Sequence, residues 1–426
     1  MTVDLPCGRG SLPLTWDPQR FPRVQVLETV PAPPLPDLHG AVARALRRPI
    51  GTAPLAELAR GRRSACVVVS DATRPVPNRE ILPPVLETLE AAGVPRDAIT
   101  LLIATGMHRA STPGERVDLL GREVAERYRV VDHDCRDRSI LRRVALVDGV
   151  PVEINRLYCA AELRILTGLL EPHGFAGYSG GGKAILPGLA SFETMTHMHG
   201  FAMVAHPGVD VARLDGNPFR DHIDAVSRAV GAEFIVNVAL DRERRATGVF
   251  AGHVREAHRA GCRLVEQHVV VRMTEPADLV VTSGGGFPYD ATLYQATKGL
   301  FAARHLVRKG GTILFVAGCE EGLGSGSFAN LVRSVGTPEA FRARYRDPAN
   351  FVIDQWAVQA YFQVRERAGR ILFHSPHLTR DAVEPFGLSA TDDPSAELAR
   401  LLPSHPRTCV VPEGPHLVGL VEQGDP

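Results

Sequence analysis

The chain contains 426 residues, of which 44% are hydrophobic and 23% are charged, and its formal net charge is zero. A chain of this length exceeds the size at which a single hydrophobic core keeps growing, so the composition predicts two globular domains. The balanced charge excludes a global positive field that would attract nucleic acid or acidic membranes, and we expect neither as a partner.

Short β-branched segments that end at polar or glycine-rich turns recur along the chain. In chain order they cover residues 64–70, 98–104, 163–167, 233–240, 277–282, 312–317, 370–373 and 408–411. Helix-like segments lie between them, at residues 79–92, 114–128, 217–230, 290–309 and 338–343. Strands that are apolar on both faces and alternate with helices predict an α/β fold with mainly parallel sheets.

The pattern of strand, loop and helix restarts at residue 277, which predicts a domain boundary shortly before it. We expect an N-terminal α/β domain at residues 1–270 and a C-terminal α/β domain at residues 271–404. Residues 405–426 are a candidate segment for returning to the first domain. Ligands of open α/β sheets bind beyond the carboxyl ends of the strands, so polar residues at those ends mark the expected site.

The cysteines and the apolar segments bear on the compartment. The seven cysteines are scattered and none stands in C-x-x-C spacing, which argues against a disulfide framework and against a structural zinc site. Residues 1–13 lack the apolar stretch of a signal peptide, and no apolar run approaches the roughly 20 residues of a membrane span. We therefore expect a cytoplasmic protein.

The first polar turn follows the segment 64–70 and reads Asp71-Ala72-Thr73-Arg74-Pro75. It offers a carboxylate, a hydroxyl and a guanidinium, and Arg74 could hold a carboxylate or a phosphate in a bidentate manner. A capped turn with a surface ion pair would contain the same residues. The turn alone therefore leaves a functional and a structural role equally open.

Two histidines also follow predicted strands. His108 lies in the sequence TGMHR and His173 lies in EPHG. Histidine titrates near neutral pH and is the usual residue for proton transfer. A lone histidine is more often structural, but two at equivalent strand ends favour a pair of acid/base groups.

A glycine-rich loop, GYSGGGKA at residues 177–184, almost matches the nucleotide-binding pattern G-x-x-x-x-G-K-[ST]. In that pattern the glycine amides bind phosphates and the final hydroxyl binds Mg²⁺. Ala184 replaces the hydroxyl residue, so the magnesium ligand is missing. Lys183 is then a candidate nucleophile or phosphate-binding cation, and the alternative is a solvated lysine on a glycine turn.

His197 and His199 follow the loop in H-x-H spacing. Two histidines so close together suit a metal ion, but surface histidines often show this spacing by chance. A metal site is therefore one interpretation of the pair.

A helical face in the second half of the chain carries polar groups. Tyr294 and Lys298 are four residues apart on a predicted helix, and Gln295 precedes Lys298 by three, so the three side chains share or adjoin one face. This face could bind a small acid, or Lys298 could simply be solvated. Trp356 is a candidate core residue or a lid over a pocket.

Taken together, the motifs resemble those of the nickel-pincer lactate racemase family. The resemblance rests on DATRP from residue 71, TGMHR from 105, EPHG from 171, SGGGK from 179, PG from 187, DGNP from 215, YQATK from 294 and DQW from 354. It covers nearly the whole chain, and several separate motifs in order make it specific.

The resemblance implies two α/β domains with the active site in a cleft between them. It also implies a cofactor, nickel pyridinium-3,5-bisthiocarboxylic acid mononucleotide, which accessory biosynthetic enzymes make and which is covalently attached at Lys183. His199 would be the protein ligand of the nickel, in a square-planar set that suits Ni(II). The nucleotide would be bound by Asp71, Ala72, Thr73 and Arg74.

The substrate residues are carried over in the same way. Arg74 would also face the substrate, and Gln295 and Lys298 would bind its carboxylate. Tyr294 and Trp356 match a pocket for a short aliphatic side chain. The implied substrate is lactate or another small 2-hydroxy acid.

The implied reaction is the interconversion of the two configurations at C2. The C2–H bond of a 2-hydroxy acid is a very poor proton donor, so its removal as hydride, while a base takes the hydroxyl proton, makes chemical sense. Each hand of the substrate then needs its own base, and His108 and His173 suit the two positions.

Two other classes stay open at this stage. A P-loop-like nucleotide-dependent phosphotransferase would use the glycine loop, but Ala184 counts against it. A non-catalytic nickel- or cofactor-binding protein would need Lys183 and His199 without the other polar residues. An isomerase, a 2-hydroxy acid racemase or epimerase, accounts for the full set.

Overall fold

The computed structural model describes residues 1–422. Its strands are β1 (Thr2–Cys7), β2 (Gly10–Thr15), β3 (Gln25–Val26), β4 (Ala65–Ser70), β5 (Ile99–Ala104), β6 (Arg129–Asp132), β7 (Leu141–Val147), β8 (Val150–Asn155), β9 (Leu163–Leu170), β10 (Pro172–His173), β11 (Gly177–Tyr178), β12 (Phe234–Leu240), β13 (Ala246–Gly252), β14 (Val270–Met273), β15 (Ala277–Ser283), β16 (Val307–Val316), β17 (Ala368–His374), β18 (Ser389–Ala390), β19 (Thr408–Val411) and β20 (Val418–Val421).

The α-helices are α1 (Leu38–Arg47), α2 (Leu55–Ala59), α3 (Asn78–Ala91), α4 (Pro113–Leu120), α5 (Arg122–Arg127), α6 (Arg156–Ala160), α7 (Phe192–Met198), α8 (Phe201–Val204), α9 (Pro218–Val230), α10 (Glu256–Val269), α11 (Leu293–Leu306), α12 (Gly326–Val335), α13 (Pro338–Tyr345), α14 (Gln355–Arg367), α15 (Arg380–Val383) and α16 (Pro394–Leu401). Short 3₁₀ segments cover Arg96–Ala98, Arg138–Ile140, Gly181–Ala184, Pro348–Asn350, Glu384–Phe386, Leu402–Ser404 and Gly414–His416. No helix within residues 1–422 has both the length and the apolar character needed to cross a bilayer.

The chain divides into two compact units. The first unit consists of Pro31–His199 and His206–His268, and the second of Met1–Val30, Gly200–Ala205 and the chain from Val269. The sequence predicted domains at 1–270 and 271–404 with 405–426 as a candidate return to the first. Two parts of this prediction differ from the structure. Met1–Val30 belong to the second unit, and the predicted return is wrong because β19 pairs in parallel with β15 inside the second unit.

The first unit is built on a six-stranded sheet in the order β13-β12-β9-β4-β5-β6. All neighbouring pairs are parallel except β12 with β13, which form an antiparallel edge. The central strand β4 pairs with both neighbours through Val67, which lies opposite Leu101 and Ile165. All three side chains are fully buried, which explains why these strands are apolar without alternation.

The second unit contains a six-stranded, wholly parallel sheet in the order β18-β17-β16-β15-β19-β3. Apolar clusters cover both faces. One cluster includes Leu300 of α11 and Tyr361 of α14, and the other includes Leu5 of β1 and Leu398 of α16. The predicted α/β class with mainly parallel sheets is therefore confirmed in both units.

Candidate active site

The carboxyl ends of β4 and β5 bring Asp71 and His108 together. These neighbouring strands end at Ser70 and Ala104, and the turns that follow place His108 Nδ1 2.6 Å from Asp71 Oδ2. Asp71 is buried, with 7% of its surface exposed, whereas the His108 side chain is 58% exposed. A largely exposed imidazole is thus hydrogen-bonded to a buried carboxylate.

Hydrogen bonds decide the charge of Asp71. Burial raises the pKa of this carboxyl, but hydrogen bonds from His108 and Thr73 outweigh burial and lower the pKa below its usual value. Thr73 donates to Asp71 Oδ1 from its hydroxyl at 2.6 Å and from its backbone N–H at 3.3 Å. An ionised carboxylate only accepts hydrogen bonds, so His108 carries its proton on Nδ1 and presents the lone pair on Nε2.

His173 has the opposite arrangement. It lies on β10, which forms a small antiparallel hairpin with β11, and its Nδ1 accepts hydrogen bonds from the backbone N–H groups of Phe175 and Ala176, both at 3.2 Å. A ring nitrogen that accepts cannot carry the proton, so neutral His173 carries it on Nε2. The two predicted acid/base residues thus differ at Nε2 in their neutral forms: His108 has a lone pair there, and His173 has an N–H.

The protonation of His173 is disfavoured by its surroundings. Burial lowers its pKa well below the usual value, and the positive charges of Lys183 and Arg74 lower it further. Arg74 is itself held by Glu171, whose Oε1 is 3.3 Å from Arg74 Nη1. Any anion that binds against these cations will therefore make protonation of His173 easier.

The glycine loop before Lys183 is packed closely against the rest of the first unit. Its Gly181 N–H donates to Oδ1 of the fully buried Asn237 on β12 at 2.8 Å. A Cβ added to Gly182 would overlap Ser227 Oγ on α9. The glycines therefore permit tight packing, and at least one loop amide is used within the protein rather than for a phosphate.

Lys183 lies in the 3₁₀ segment that ends this loop and is partly buried. Burial lowers the pKa of its ammonium to about 7, and the positive charges of Arg74 and Arg220 contribute in the same direction. In a large fraction of the chains Lys183 is therefore a neutral amine near pH 7, and the neutral amine is the nucleophilic form.

Two residues at the start of α9 support the backbone between His173 and Lys183. Asn217 Oδ1 caps the helix by accepting from Phe219 N–H at 3.0 Å, while its Nδ2 donates to Phe175 O at 2.8 Å. The buried Arg220 donates to the carbonyls of Ala176 and Tyr178. The loop is thus anchored to a rigid helix rather than left to move independently.

His199 follows α7, and a hydrogen bond to the main chain fixes which nitrogen of its ring carries the proton. Its Nδ1 lies 3.1 Å from Met195 O, and because a carbonyl accepts, Nδ1 carries the proton and Nε2 the lone pair. Burial lowers the pKa of His199 to about 4. The ring therefore stays neutral at physiological pH and offers a nitrogen donor.

The structure separates His197 from this role. The His197 ring stacks on His222, with centroids 6.1 Å apart and an interplanar angle of 11°. Burial lowers the pKa of His197, and the neighbouring His222 lowers it further. The H-x-H spacing therefore does not by itself make a two-histidine site.

The predicted substrate residues lie in the second unit. Tyr294, Gln295 and Lys298 are on α11, where Lys298 Nζ is 2.8 Å from Gln295 Oε1. The Tyr294 ring packs on Phe328, and burial raises the pKa of its hydroxyl to about 12, with Asp354 adding to the effect. The structure thus brings Gln295 and Lys298 into contact on one helix face.

Trp356 and Ala72 complete the predicted set. Trp356 is near the start of α14 and stacks on Phe351 with ring centroids 6.2 Å apart, and it is partly exposed rather than a core residue. Ala72 is exposed in the turn after β4 and has no polar side-chain atom. Only its backbone could contribute to binding.

The sequence reasoning missed the supporting residues. Asn217 and Arg220 were not assigned roles, although Asn-Pro at a helix start is a recognised N-cap signal. Asn237 is a single polar residue inside the apolar run IVNVAL, and a buried amide in such a run is a signal for a specific partner. Glu171 gives no signal beyond its place beside His173.

The chain resembles known proteins over most of its length. The family model for the lactate racemase N-terminal domain matches residues 8–211, and that for the C-terminal domain matches residues 272–414. The lactate racemase of Thermoanaerobacterium thermosaccharolyticum is 37% identical over 324 residues, which are 75% of each chain. The lactate racemase of Lactiplantibacillus plantarum is 31% identical over 388 residues, which are 90% of each chain.

Solved structures give the same result. The structure of the lactate racemase apoprotein from Thermoanaerobacterium thermosaccharolyticum matches with a TM-score of 0.90 at 29% identity, covering 99% of this chain and 100% of that one. A crystal structure of a Thermotoga maritima protein matches with a TM-score of 0.65 at 19% identity, covering 90% and 98%, and this second match concerns the fold alone. The chain is therefore an isomerase of the racemase type. It belongs to the lactate racemase family.

Proposed function

We propose that the protein interconverts the two configurations at C2 of a short aliphatic 2-hydroxy acid, with lactate as the first candidate. The observation that carries the proposal is the complementary hydrogen bonding of two histidines. His108 presents a lone pair on Nε2 and His173 presents an N–H on Nε2. A racemase must remove a proton from one hand of its substrate and return one to the other, and such a pair is set up for both tasks.

The residues around Lys183 fit the proposed nickel pyridinium-3,5-bisthiocarboxylic acid mononucleotide. Lys183 has the neutral amine that covalent attachment needs, and His199 has the nitrogen lone pair that nickel needs. The turn Asp71–Arg74 would bind the nucleotide part. When bound, this group supplies an acceptor and donor for the hydride at C2 of the substrate.

His108 would take the hydroxyl proton of one substrate configuration. The Asp71 carboxylate fixes the ring so that Nε2 points its lone pair away from the carboxylate, and it stabilises the imidazolium that forms. Because the His108 side chain is exposed, this proton can exchange with solvent between turnovers. Asp71 is thus a positioning residue for the proposed base.

His173 would serve the other configuration. In its present hydrogen bonding it donates from Nε2, and full proton donation requires the imidazolium. A substrate carboxylate beside Arg74 would offset one of the positive charges that lower the pKa of His173. Substrate binding therefore favours the protonation that His173 needs.

Arg74, Gln295 and Lys298 are the proposed partners of the substrate carboxylate. Lys298 already orients Gln295 through the 2.8 Å hydrogen bond, so the amide and the ammonium form one polar patch. Tyr294 and Trp356 would bound the side-chain pocket and favour a short aliphatic group.

The setting of the enzyme follows from the cofactor. We propose that the protein acts in the cytoplasm and depends on the enzymes that make the cofactor as its partners. Seven cysteines without a disulfide among them suit a reducing compartment.

The test is to produce the chain together with cofactor-making enzymes and to measure intact mass, nickel content and chiral conversion of a panel of 2-hydroxy acids. We expect a covalent adduct, about one nickel per chain, and racemisation of lactate or a close analogue. His108→Ala and His173→Ala should keep the adduct and lose about 10²–10⁴-fold in activity. His39→Gln, an exposed position on α1, is the control and should be unchanged.

Two results would contradict the proposal. A protein with no adduct and no nickel would remove the cofactor from the scheme. Full activity in both histidine variants would remove the two-base mechanism even if the adduct forms.

A further inference from the structure

A second group of metal-binding side chains lies in the first unit, outside the site described above. Asp148 occupies the two-residue turn of the β7–β8 hairpin, with φ of 51° followed by Gly149 at 77°. Positive φ at both positions is typical of the type I′ turn, which fixes where Asp148 lies. His197 is in the last turn of α7, and His222 is in the second turn of α9.

These three residues converge on one point. His222 Nε2 is 2.9 Å from Asp148 Oδ2, and the rings of His197 and His222 stack. One ring nitrogen from each histidine and one carboxylate oxygen all lie within 4.8 Å of one another. The residues are up to 74 positions apart in the sequence, so the grouping is a property of the fold.

Each of the two histidines has one buried ring nitrogen that makes no hydrogen bond within residues 1–422. These atoms are His197 Nε2 and His222 Nδ1. Buried polar atoms in native proteins are nearly always satisfied. The unsatisfied Nε2 of His197 therefore points to a ligand that accepts a nitrogen lone pair. His222 approaches Asp148 through its other ring nitrogen, Nε2, and that nitrogen is its candidate ligand atom.

We propose that Asp148, His197 and His222 form a metal site that takes Zn²⁺ or another divalent transition-metal ion, separate from the proposed nickel ligand His199. Two imidazole nitrogens and one carboxylate oxygen are a common three-ligand set for zinc, with a remaining position for water. Nitrogen donors select against Ca²⁺ and Mg²⁺, which take oxygen ligands. This inference goes beyond racemisation and does not depend on it.

Ion binding requires only a small movement. Tetrahedral geometry with bonds of about 2.0–2.1 Å sets the ligand atoms roughly 3.3 Å apart. The two histidines are on helices, but the Asp148 side chain is 65% exposed and can rotate towards the ion. The site can therefore close without rearranging the fold.

A metal ion here would join three elements that position the active site. His197 lies at the end of α7 and precedes the proposed nickel ligand His199 by two residues. His222 is on α9, whose residues Asn217 and Arg220 hold the backbone after His173. The ion would fix α7 and α9 relative to the β7–β8 hairpin, which gives the site a structural role.

The experiment uses the full chain produced without the nickel cofactor and freed of metal with a chelator. Zn²⁺ is titrated in competition with a chromophoric chelator, and Co²⁺ serves as a spectroscopic probe of tetrahedral coordination. We expect wild-type protein and the His199→Gln variant to bind one zinc ion. His222→Gln and Asp148→Asn should each weaken binding at least tenfold, and His39→Gln should not.

Thermal unfolding gives a second measurement that does not depend on the competing chelator. Zinc at about 100 times its Kd stabilises the folded state by about 2.7 kcal/mol. This should raise the Tm for unfolding of the first unit in wild-type protein by roughly 5–10 °C. His197→Gln should remove most of this rise. The proposal is overturned if zinc leaves the wild-type Tm unchanged, or if His222→Gln binds zinc as well as wild type does.

Discussion

Replacing Asp71 with Asn should disable His108 while leaving its ring in place. The oxygen of the new amide is best used at the Thr73 side, where two donors, the hydroxyl and the backbone N–H, face Asp71 Oδ1. The NH₂ group then faces His108 Nδ1, 2.6 Å from Oδ2 in the native protein. Because NH₂ only donates, the ring must move its proton to Nε2, and the proposed base loses its lone pair.

The size of the effect follows from the alternative arrangement. If the amide turns so that its oxygen accepts from His108, the Thr73 N–H loses its partner, which costs about 1–3 kcal/mol. The orientation that keeps the lone pair on His108 Nε2 is then roughly 5–150-fold less populated than the other. Loss of the carboxylate also removes a charge-assisted hydrogen bond to the imidazolium. Since His108 is more than half exposed, we take the lower end of the range for a charge-assisted hydrogen bond, about 1.5 kcal/mol, which corresponds to roughly tenfold in rate. The two factors predict a loss of about 10²–10³-fold in kcat.

The assay is chiral conversion starting from each enantiomer, with kcat divided by the fraction of chains that carry the cofactor adduct. This normalisation matters because Asp71 also belongs to the proposed nucleotide-binding turn. Nitrogen-15 NMR of histidine should show the proton of His108 on Nδ1 in the wild type and on Nε2 in Asp71→Asn. Glu115→Gln, which breaks the exposed ion pair with Arg109 beside His108, is the control and should keep full activity. An Asp71→Asn variant within about threefold of wild-type kcat would refute the reasoning.

Two further predictions concern the glycine loop. Burial and the charges of Arg74 and Arg220 lower the pKa of Lys183 to about 7. In the unloaded protein its rate of reaction with an amine reagent should therefore rise through pH 7, well below the pH at which an ordinary lysine reacts. Mass spectrometry can follow this reaction separately at each of the three lysines of the chain, and a midpoint above pH 9 would contradict the prediction. Gly182→Ala should lower the free energy of unfolding by about 1–3 kcal/mol, because the new methyl overlaps Ser227 Oγ. Ser227→Ala removes that oxygen, so the double variant Gly182→Ala/Ser227→Ala should regain much of the lost free energy of unfolding, measured by denaturant unfolding. Equal stability of the Gly182→Ala variant and the double variant would contradict this explanation.

The inner strands of both main sheets could be predicted because they are largely apolar on both faces. The edge strands β3, β6, β13 and β18 were missed. The segments 64–70, 98–104, 163–167 and 277–282 coincide with β4, β5, β9 and β15 to within a few residues. Buried parallel strands give a continuous apolar run, which is a strong local signal. The hairpins β1–β2 and β7–β8 were missed, since short strands with exposed positions lack that signal.

Helix boundaries were less predictable. The sequence suggested one helix at 114–128, but Gly121 adopts φ of 84° and separates α4 from α5. The segment expected at 290–309 is shortened to α11, where the Thr292 side chain caps the helix. In both cases a single residue ends or starts the helix, and periodicity alone does not reveal it.

The placement of the chain ends was decided by strand pairing. Residues 405–426 were a candidate for the first domain, yet β19 lies between β15 and β3 in the second unit. An apolar four-residue strand fits the interior of either sheet, so its composition does not choose between them. Only the pairing partner does, and that depends on residues far away in the sequence.

The sequence by itself determined the fold class, the family and the positions of the polar turns, because these follow from local periodicity and from motifs that are contiguous in the chain. It did not determine which ring nitrogen of His108 carries the proton, nor that His197 faces His222. Those relations join residues 37 and 25 positions apart through neighbouring strands and packed helices. Hydrogen-bond direction and burial set the chemistry of a side chain, and both exist only once the tertiary structure has brought the partners together.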